Sequence, residues 1–441
     1  VKKEVFDVAV IGGGAAGLNA SIGHAKLGKT VVLFEKHRLG GDCTHTGCVP
    51  SKTLISSAEQ RPEQEWEHRM KRLKDTVQGI YEEEKPAVLE SHGVHVVPKH
   101  AAFNSTNTLV AGDTEYEAKK FVVATGASPK TLEFPDAEIP VVTHEEIFDL
   151  QRQPRTLCIV GSGPISCELG QAFQRIGTQV HIVSKTPPLN VEGPRASQVL
   201  KQRLLQDGVR IHEGTVEDVQ GNEVLASNAS FTADTVLVAI GRVPNTENLH
   251  LRKAGIPVND DGTIQTDTYY RATKNVFAVG DCASKHMFTH AADIHARNLV
   301  YNALNPFWKR KKSHPVIPRV TYTSPQVGSL GKTAKDLQTT RHATIHVLFS
   351  ENDRARTEND TTGYIEVYAT PLTGKILGAQ VVGSQIDNVV SELALAMQTN
   401  TSLYAVQRVV HPYPARSNIV RAAADKYVFE HVLPKLNWLS L

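Results

Sequence analysis

The chain has 441 residues, 48 basic against 46 acidic side chains, and a composition that is 40% hydrophobic. At roughly 150 residues per domain this length exceeds one hydrophobic core and predicts about three domains. The near balance of charge argues against nucleic acid. The lack of any apolar run near the ~20 residues of a bilayer span argues against a membrane protein. A soluble protein of the cytoplasm or an organelle matrix is therefore expected. The sequence starts at Val1 rather than methionine, which is compatible with a processed N-terminus. Its last residues, Trp438-Leu439-Ser440-Leu441, match no lipidation signal. Five cysteines do not make a disulfide scaffold; Cys43 and Cys48 lie close together, while Cys158, Cys167 and Cys282 are isolated.

In chain order, the apolar run from Val5 to Ile11 reads as a strand broken by Gly12-Gly13-Gly14. Helical spacing follows through Leu18, Ile22 and Leu27, then a second strand from Thr30 to Phe34 ends at Glu35. This is a β-α-β unit. The stretch from Glu59 to Glu90 is charged and helix-rich, and strand-like alternation over 94–103 and 109–124 leads into Ala124-Thr125-Gly126. A second unit has a strand at 156–160, the break Gly161-Ser162-Gly163, a helix from Glu168 to Ile176 and a strand at 179–183. Two copies of one nucleotide-binding pattern thus recur along the chain. The run Lys309-Arg310-Lys311-Lys312, between Pro306 and Pro315, reads as a solvated loop. From Arg319 the texture becomes α+β, with strands at 363–369 and 377–382 and a helix near 388–398. The expected fold class is α/β, two Rossmann-like domains plus an α+β C-terminal domain. The boundaries are 1–150 and 271–315 for the first domain in two segments, 151–270 for the second, and 316–441 for the third.

Gly12, Gly14 and Gly17, set between strand and helix with an acid at the next strand's end, form a credible dinucleotide motif. The glycines admit a pyrophosphate to the helix N-terminus, and Glu35 can accept from ribose hydroxyls. The second motif, Gly161 and Gly163 with Ser166 in the third place, is followed by Ser184-Lys185 instead of an acid. A carboxylate would repel a 2′-phosphate, whereas Lys185 attracts it and Ser184 can donate to it. NADPH is therefore expected over NADH, with NADH still open.

The segment from Gly40 to Lys52 holds Cys43 and Cys48, with Pro50 suited to a helix's first turn. Cys48 would then stand just before a helix N-terminus, a position that favours thiolate. The pair reads as a short, reducible redox loop. His92 and His95 lack sulfur or acid partners and read as surface, so no metal site is expected, and Cys158 and Cys167 read as core.

With these segments, the Ala124-Thr125-Gly126 turn, Ala239 to Asn245 and Ala278 to Asp281, the chain resembles the pyridine-nucleotide disulfide oxidoreductases nearly end to end. Glutathione reductase, lipoamide dehydrogenase and mercuric reductase belong to that family. The resemblance implies FAD on the first motif, with Gly41, Thr125 and Gly126 beside it and Ala101 giving a backbone contact to adenine. It implies Cys43 as the interchange thiol and Cys48 as the flavin-facing one. Lys52 and Glu168 would pair near the reactive flavin nitrogen, Asp281 would hold the ribityl chain, and Gly241 and Arg242 would form the nicotinamide-side turn. Thr289 and His290 would open a helix whose dipole stabilises negative charge on the ring. A homodimer is implied, with His411 supplied across the interface as acid/base.

The sequence departs from the family at the C-terminus, where Arg416 stands in place of a glutamate five residues after His411; a neighbouring cation would lower the basicity of His411. Pro164 also replaces the tyrosine gate of glutathione reductase, and no cysteine follows Cys282 to form a second relay. The leading expectation is an NADPH-dependent flavoprotein reductase of a disulfide or thiol-reactive small molecule. The alternatives are a diaphorase-like quinone or metal-ion reductase, and a flavin-dithiol sensor without turnover.

Overall fold

The structure, a computed structural model, describes residues 2–305, 307–313 and 316–436. Val1, Pro306, Pro315 and the Trp438–Leu441 segment lie outside the described residues. The chain opens with β1 (Lys2–Ile11), α1 (Ala15–Lys26) and β2 (Val31–Phe34), and Ile11 pairs in parallel with Phe34. All four residues of β2 are buried, as a parallel strand covered on both faces requires. Next come α2 (Gly41–His45), α3 (Cys48–Gln60), α4 (Trp66–Tyr81) and α5 (Pro86–Ser91). Then β3 (Val94–Val97), β4 (Ala102–Phe103), β5 (Thr108–Ala111) and β6 (Thr114–Val123) complete the sheet order β3-β2-β1-β6-β5-β4. Cys48 is the first residue of α3, with Gly47 as cap, where the sequence placed it one step earlier.

After Val123 the chain leaves by β7 (Ala127–Pro129) and β8 (Val141–Val142) for the second unit, β9 (Thr156–Val160), α6 (Pro164–Arg175), β10 (Gln179–Ser184), α7 (Pro194–Gln206) and β11 (Arg210–Glu213). The meander β12 (Val216–Gln220), β13 (Glu223–Ala226) and β14 (Ala229–Thr232) precedes β15 (Thr235–Val238). This sheet runs β11-β10-β9-β15-β8, all parallel. The helix expected from Glu168 begins one turn earlier: Pro164 takes the first position, where its missing N–H costs nothing.

The chain returns through β16 (Arg242–Pro244), antiparallel to β7 with Arg242 opposite Pro129, and β17 (Val276–Ala278) joins the first sheet beside β6. Then α8 (Thr289–Leu304) packs on α1, where Asn19 donates to Asp293 over 2.8 Å. The basic run that follows is not simply solvated. Arg310 stacks 3.8 Å above the Tyr301 ring, and the Lys312 ammonium turns inward onto Thr266 and the Ala283 carbonyl.

The C-terminal domain is an antiparallel sheet in the order β18-β19-β22-β21-β20. Its strands are β18 (Arg319–Thr321), β19 (Gln326–Gly331), β20 (Ala343–Leu348), β21 (Tyr364–Ala369) and β22 (Ile376–Gly383). α9 (Asp353–Thr357), α10 (Asp387–Gln398), α11 (Leu403–Gln407) and α12 (Asn418–Tyr427) complete it, the α+β character its sequence predicts. Its core is apolar, with Ile345, Val367, Val381, Leu393 and Ile419 at or near zero exposure. It docks on the second unit through Arg319–Glu192 at 3.0 Å and the Tyr322 N–H, which donates to Glu168 over 2.8 Å. No helix among the described residues is long and apolar enough to cross a membrane.

Candidate active site

A cleft of about 1120 Å³ is lined by the ends of strands from both nucleotide-binding units. It exceeds the ~300–1,000 Å³ of ordinary small-ligand sites and suits an extended dinucleotide at a topological switch point. Gly12 and Gly14 open α1 at one wall, with Glu35, Thr125, Gly126 and Asp281 around them. Gly12 has φ +101°, and a Cβ at Gly17 would overlap the Gly12 carbonyl oxygen. The turn therefore closes only with glycine, and it brings the N-terminus of α1, Ala15 and Ala16, to the cleft wall. Glu35 is anchored by two backbone donors, Gly13 N–H at 2.7 Å and His37 N–H at 2.8 Å, with lone pairs left for ribose hydroxyls. These residues fit FAD. At the other mouth Gly163 has open space where its Cβ would be, and Gly241 and Arg242 complete that wall.

The two sulfurs lie in the cleft wall as free thiols. Cys48 opens α3, where the helix N-terminus favours thiolate. Its sulfur lies 3.5 Å from Thr289 Oγ1 at the start of α8. The Cys43 hydrogen bond, against desolvation and aided by Thr289 and the Lys52 charge, holds the Cys48 thiol down at about 6. Cys43 goes the opposite way: its bond to Cys48 and burial push it far above the thiol range. The two shifts run in opposite directions, which favours a single proton on the pair, and the place of Cys48 at the helix N-terminus favours the charge there.

Behind the thiols, Lys52 pairs with Glu168 at 2.7 Å, and its ammonium stands 4.8 Å above the Tyr322 ring. Glu168 Oε1 takes the Tyr322 N–H, so this pair ties α3, α6 and the C-terminal domain together. Lys52→Met strips the buried carboxylate of its cation. Because the Lys52 side chain is 37% exposed, the expected loss is about 1–2 kcal/mol rather than the ~3–5 of a fully buried pair. The variant should melt a few degrees lower in calorimetry, and its Cys48 thiol should titrate above the wild-type value.

A second network surrounds Asp42, next to Cys43. Arg242 reaches its carboxylate at 2.6 Å and His144 at 3.1 Å, while Thr46 donates to it over 2.5 Å. Burial pushes the Asp42 carboxyl up, but His144 and Arg242 outweigh it and hold the group far below the usual range. Asp281, 3.8 Å from Arg242, is pushed by burial up to about 6. Donor atoms of Asp42, His144 and Glu145 lie within 4.8 Å of one another, yet Arg242 already neutralises Asp42, so the cluster is a charged joint between α2 and β16. Arg242, assigned from sequence to the nicotinamide side, spends its charge on this joint. Neither Asp42 nor His144 was expected from the sequence. Asp42 was legible as a carboxylate beside the cysteine; His144 carries no local signal.

Not all expected residues converge on the cleft. Gly17 is buried in α1, Gly161 lies beneath the second turn, and Ala101 packs in the core under β4 and β5. Ser184 ends β10 and Lys185 follows it, both outside the cleft wall; Lys185 is exposed, and Ser184 Oγ accepts from the Thr186 N–H. His290 begins α8 in the cleft wall and bonds the Pro318 carbonyl at 2.8 Å. His92 and His95 lie at the surface, with His95 stacked on Phe6.

His411 is also absent from the cleft of its own chain. Its surroundings correct the reading of its neighbour. Arg416 does not face the imidazole: it is buried against Glu358 at 2.6 Å and Asp360 at 2.8 Å, which draw it away. The His411 side chain is 4% exposed, and its Nε2 lies 2.8 Å from Glu392 on α10. A carboxylate from another element thus fills the place that the sequence left empty, and Glu392 could not be found from spacing alone.

The chain matches the family model "Pyridine nucleotide-disulphide oxidoreductase" over residues 6–296 and that family's dimerisation domain over 317–424. It is 28% identical to a mercuric reductase of Staphylococcus aureus, covering 95% of this chain and 82% of that enzyme. It is 29% identical to a dihydrolipoyl dehydrogenase of Halobacterium salinarum, covering 98% of each. The flavoprotein disulfide reductase RclA of Escherichia coli superposes with a TM-score of 0.87 at 24% identity, covering 96% of this chain and all of that one; this likeness speaks for the fold. LpdA of Mycobacterium tuberculosis gives the same score and identity over 96% of this chain and 99% of its own. With a family model spanning residues 6–296 and the dithiol in the wall of the dinucleotide cleft, the chain belongs to the pyridine nucleotide-disulphide oxidoreductases, flavoproteins that carry a redox disulfide.

Proposed function

We propose that this protein is an NADPH-dependent reductase that delivers electrons through Cys43 and Cys48 to a small disulfide or thiol-reactive acceptor. The observation that carries the reading is the dithiol at the start of α3, set in the wall of the dinucleotide cleft beside Lys52 and Glu168. Bound FAD supplies two-electron exchange between a nicotinamide and the dithiol. Gly12, Gly14, Glu35 and Asp281 would hold it, and Thr289 and the α8 terminus would face its ring.

The chain's own residues perform the thiol chemistry. Cys43 holds the proton of the pair, so a base must take it before the sulfur attacks. The Cys43 sulfur then bonds one acceptor sulfur as the acceptor's own S–S bond breaks, and the departing thiolate takes the proton back. Attack by the Cys48 thiolate on the Cys43 sulfur breaks the mixed disulfide, closes the Cys43–Cys48 disulfide and releases the second product as a thiolate, which takes its proton from solvent. His411 is the proposed base, supplied by a second copy of the chain. Two features support a dimer: the match of residues 317–424 to a dimerisation domain, and Val410 and Tyr413, which are 91% and 77% exposed beside His411. Anaerobic addition of NADPH to the purified yellow protein, followed by disulfide acceptors, tests the whole reading. A flavin that is reduced yet passes no electrons to any disulfide would overturn it.

Cofactor choice rests on Ser184 and Lys185. Lys185 is exposed and has no ion pair among the described residues. Lys185→Glu should lower kcat/KM for NADPH by about tenfold and leave that for NADH within about twofold, since a single charge-assisted contact is worth about 1–1.5 kcal/mol. Steady-state kinetics with both cofactors checks this, and an equal loss with both would assign Lys185 no role in discrimination.

A further inference from the structure

α1 and α8 run parallel across the first domain. Both begin at the cleft, with Ala15 and Thr289 in its wall, and they stay together to their far ends. Asn19 meets Asp293, and one turn on Gly23 lies so close to Val300 that a Cβ there would stand 2.6 Å from Val300 Cγ2. The next turn brings Lys26 and Leu304 to the face opposite the cleft. The 16 residues of α8 span about 24 Å, so this face is far from the dithiol. Just past α8 the chain holds Phe307 and Trp308 in solvent, 87% and 78% exposed, beside an exposed Leu304. Their rings stand edge to face, 71° apart with centroids at 6.5 Å.

Cations frame these rings. Lys26 and Lys29, at the end of α1, are exposed, and among the described residues their ammonium groups have no hydrogen bond or ion pair. Lys309 and Arg310 lie over the Tyr269 and Tyr301 rings at 5.8 and 3.8 Å, which positions both charges without neutralising either. The acids of the same segments are already engaged: Asp7 with Lys119, Asp267 with the Tyr269 and Arg271 N–H groups, and Asp293 with Arg297. Aromatic side chains that project, rather than line a groove, need a partner that yields around them, and the cations need an anionic one. A bilayer rich in anionic lipid meets both demands, with the rings in the headgroup layer and the lysines on the phosphates. Single-stranded nucleic acid also suits cations and aromatic rings, but it needs faces on which successive bases stack. Two rings crossed at 71° offer no such platform.

We infer that this face docks the enzyme on an anionic membrane surface, with Phe307 and Trp308 entering the headgroup layer and the cleft turned to the aqueous side. No spanning helix is needed, because such a contact lies in the plane of the interface. Co-sedimentation of the purified holoenzyme with vesicles tests it. The protein should pellet with equal parts of phosphatidylglycerol and phosphatidylcholine, stay in solution with phosphatidylcholine alone, and be released as salt is raised. Phe307→Ser with Trp308→Ser should lower the partition coefficient by about tenfold or more, and Lys26→Gln with Lys29→Gln by about tenfold. Neither double variant touches the cleft, so NADPH oxidation without vesicles should match wild type, which also shows that both variants fold. Wild-type enzyme that ignores anionic vesicles overturns the assignment, as does an aromatic double variant that binds them equally well. Gel filtration showing a wild-type assembly larger than that variant's would give the face to a second copy of the chain and overturn it too. So would tighter binding to a single-stranded oligonucleotide than to the vesicles.

Discussion

Replacing Cys43 by serine should lower disulfide turnover by about a thousandfold or more while NADPH still reduces the flavin, because the bond to the acceptor forms at that sulfur and nowhere else. Quinone turnover that survives in the same variant would separate flavin-only chemistry from dithiol chemistry, and surviving disulfide turnover would remove the pair from the mechanism. The variant also isolates the Cys48 sulfur, whose thiolate, under the proposed assignment of Cys48 to the flavin side, should give a long-wavelength absorption with bound FAD. In the reduced wild-type enzyme that absorption should be present above about pH 6 and fade as the pH falls through it, since Cys48 is held down at about 6. The sign follows from the group: its depressed value means the charged form persists at neutral pH and is lost on acidification. The largest lowering contribution is the hydrogen bond from Cys43. Cys43→Ala should therefore shift the midpoint upward, and Cys43→Ser, which keeps a donor, should shift it less. A midpoint unmoved by Cys43→Ala would mean that the helix terminus, Thr289 and Lys52 hold the thiolate by themselves.

What the sequence disclosed and what it hid divide along a physical line. The Gly12 turn, the Cys43–Cys48 loop and the start of α3 at a proline-bearing turn are local: a few consecutive residues satisfy a steric or electrostatic demand, so the demand leaves a motif. The Lys52–Glu168 pair spans 116 positions and was reached only through resemblance. The Asp42 joint needs Arg242 brought back by the β7–β16 ribbon, a pairing between segments more than a hundred positions apart. Arg416 shows the converse error. Its position five residues after His411 invited the inference that its charge faces the imidazole, but two acids from residues 358–360 outcompete that contact and bury the guanidinium. Lys312 fails in the same way, as a charge in a basic run that turns inward to carbonyl and hydroxyl acceptors. Burial of a charge is decided by partners far away in sequence, so a charged run says little about its own exposure.

If His411 is the base that frees Cys43, then Glu392 is the residue that aims it, and the two should fail as one unit. The imidazole is enclosed at 4% exposure, with its Nε2 on Glu392 at 2.8 Å and its Nδ1 3.2 Å from the Val409 carbonyl. Those contacts hold the ring plane, and donation from Nε2 to Glu392, the shorter contact, leaves Nδ1 as the nitrogen that would take a proton; orienting the ring is the task a carboxylate performs behind many functional histidines. His411→Ala should slow reoxidation of the dithiol by acceptor about a hundredfold, within the ~10²–10⁴ range of general acid–base catalysis, and leave flavin reduction by NADPH unchanged. Glu392→Gln should slow the same half-reaction about tenfold, Glu392→Asp less, and the double variant no more than His411→Ala alone. Rapid mixing resolves the two half-reactions. Gel filtration of each variant separates a lost base from a lost dimer, because the exposed Val410 and Tyr413 flank this segment. Arg416→Met serves as the contrast: it breaks the contacts to Glu358 and Asp360 and should lower stability, yet with the dimer intact it should leave reoxidation near wild type, since its charge never reaches the imidazole. Additive losses in the Glu392 and His411 pair would reduce Glu392 to a packing contact. Slowed reoxidation in a dimeric Arg416→Met would restore the cation to the site.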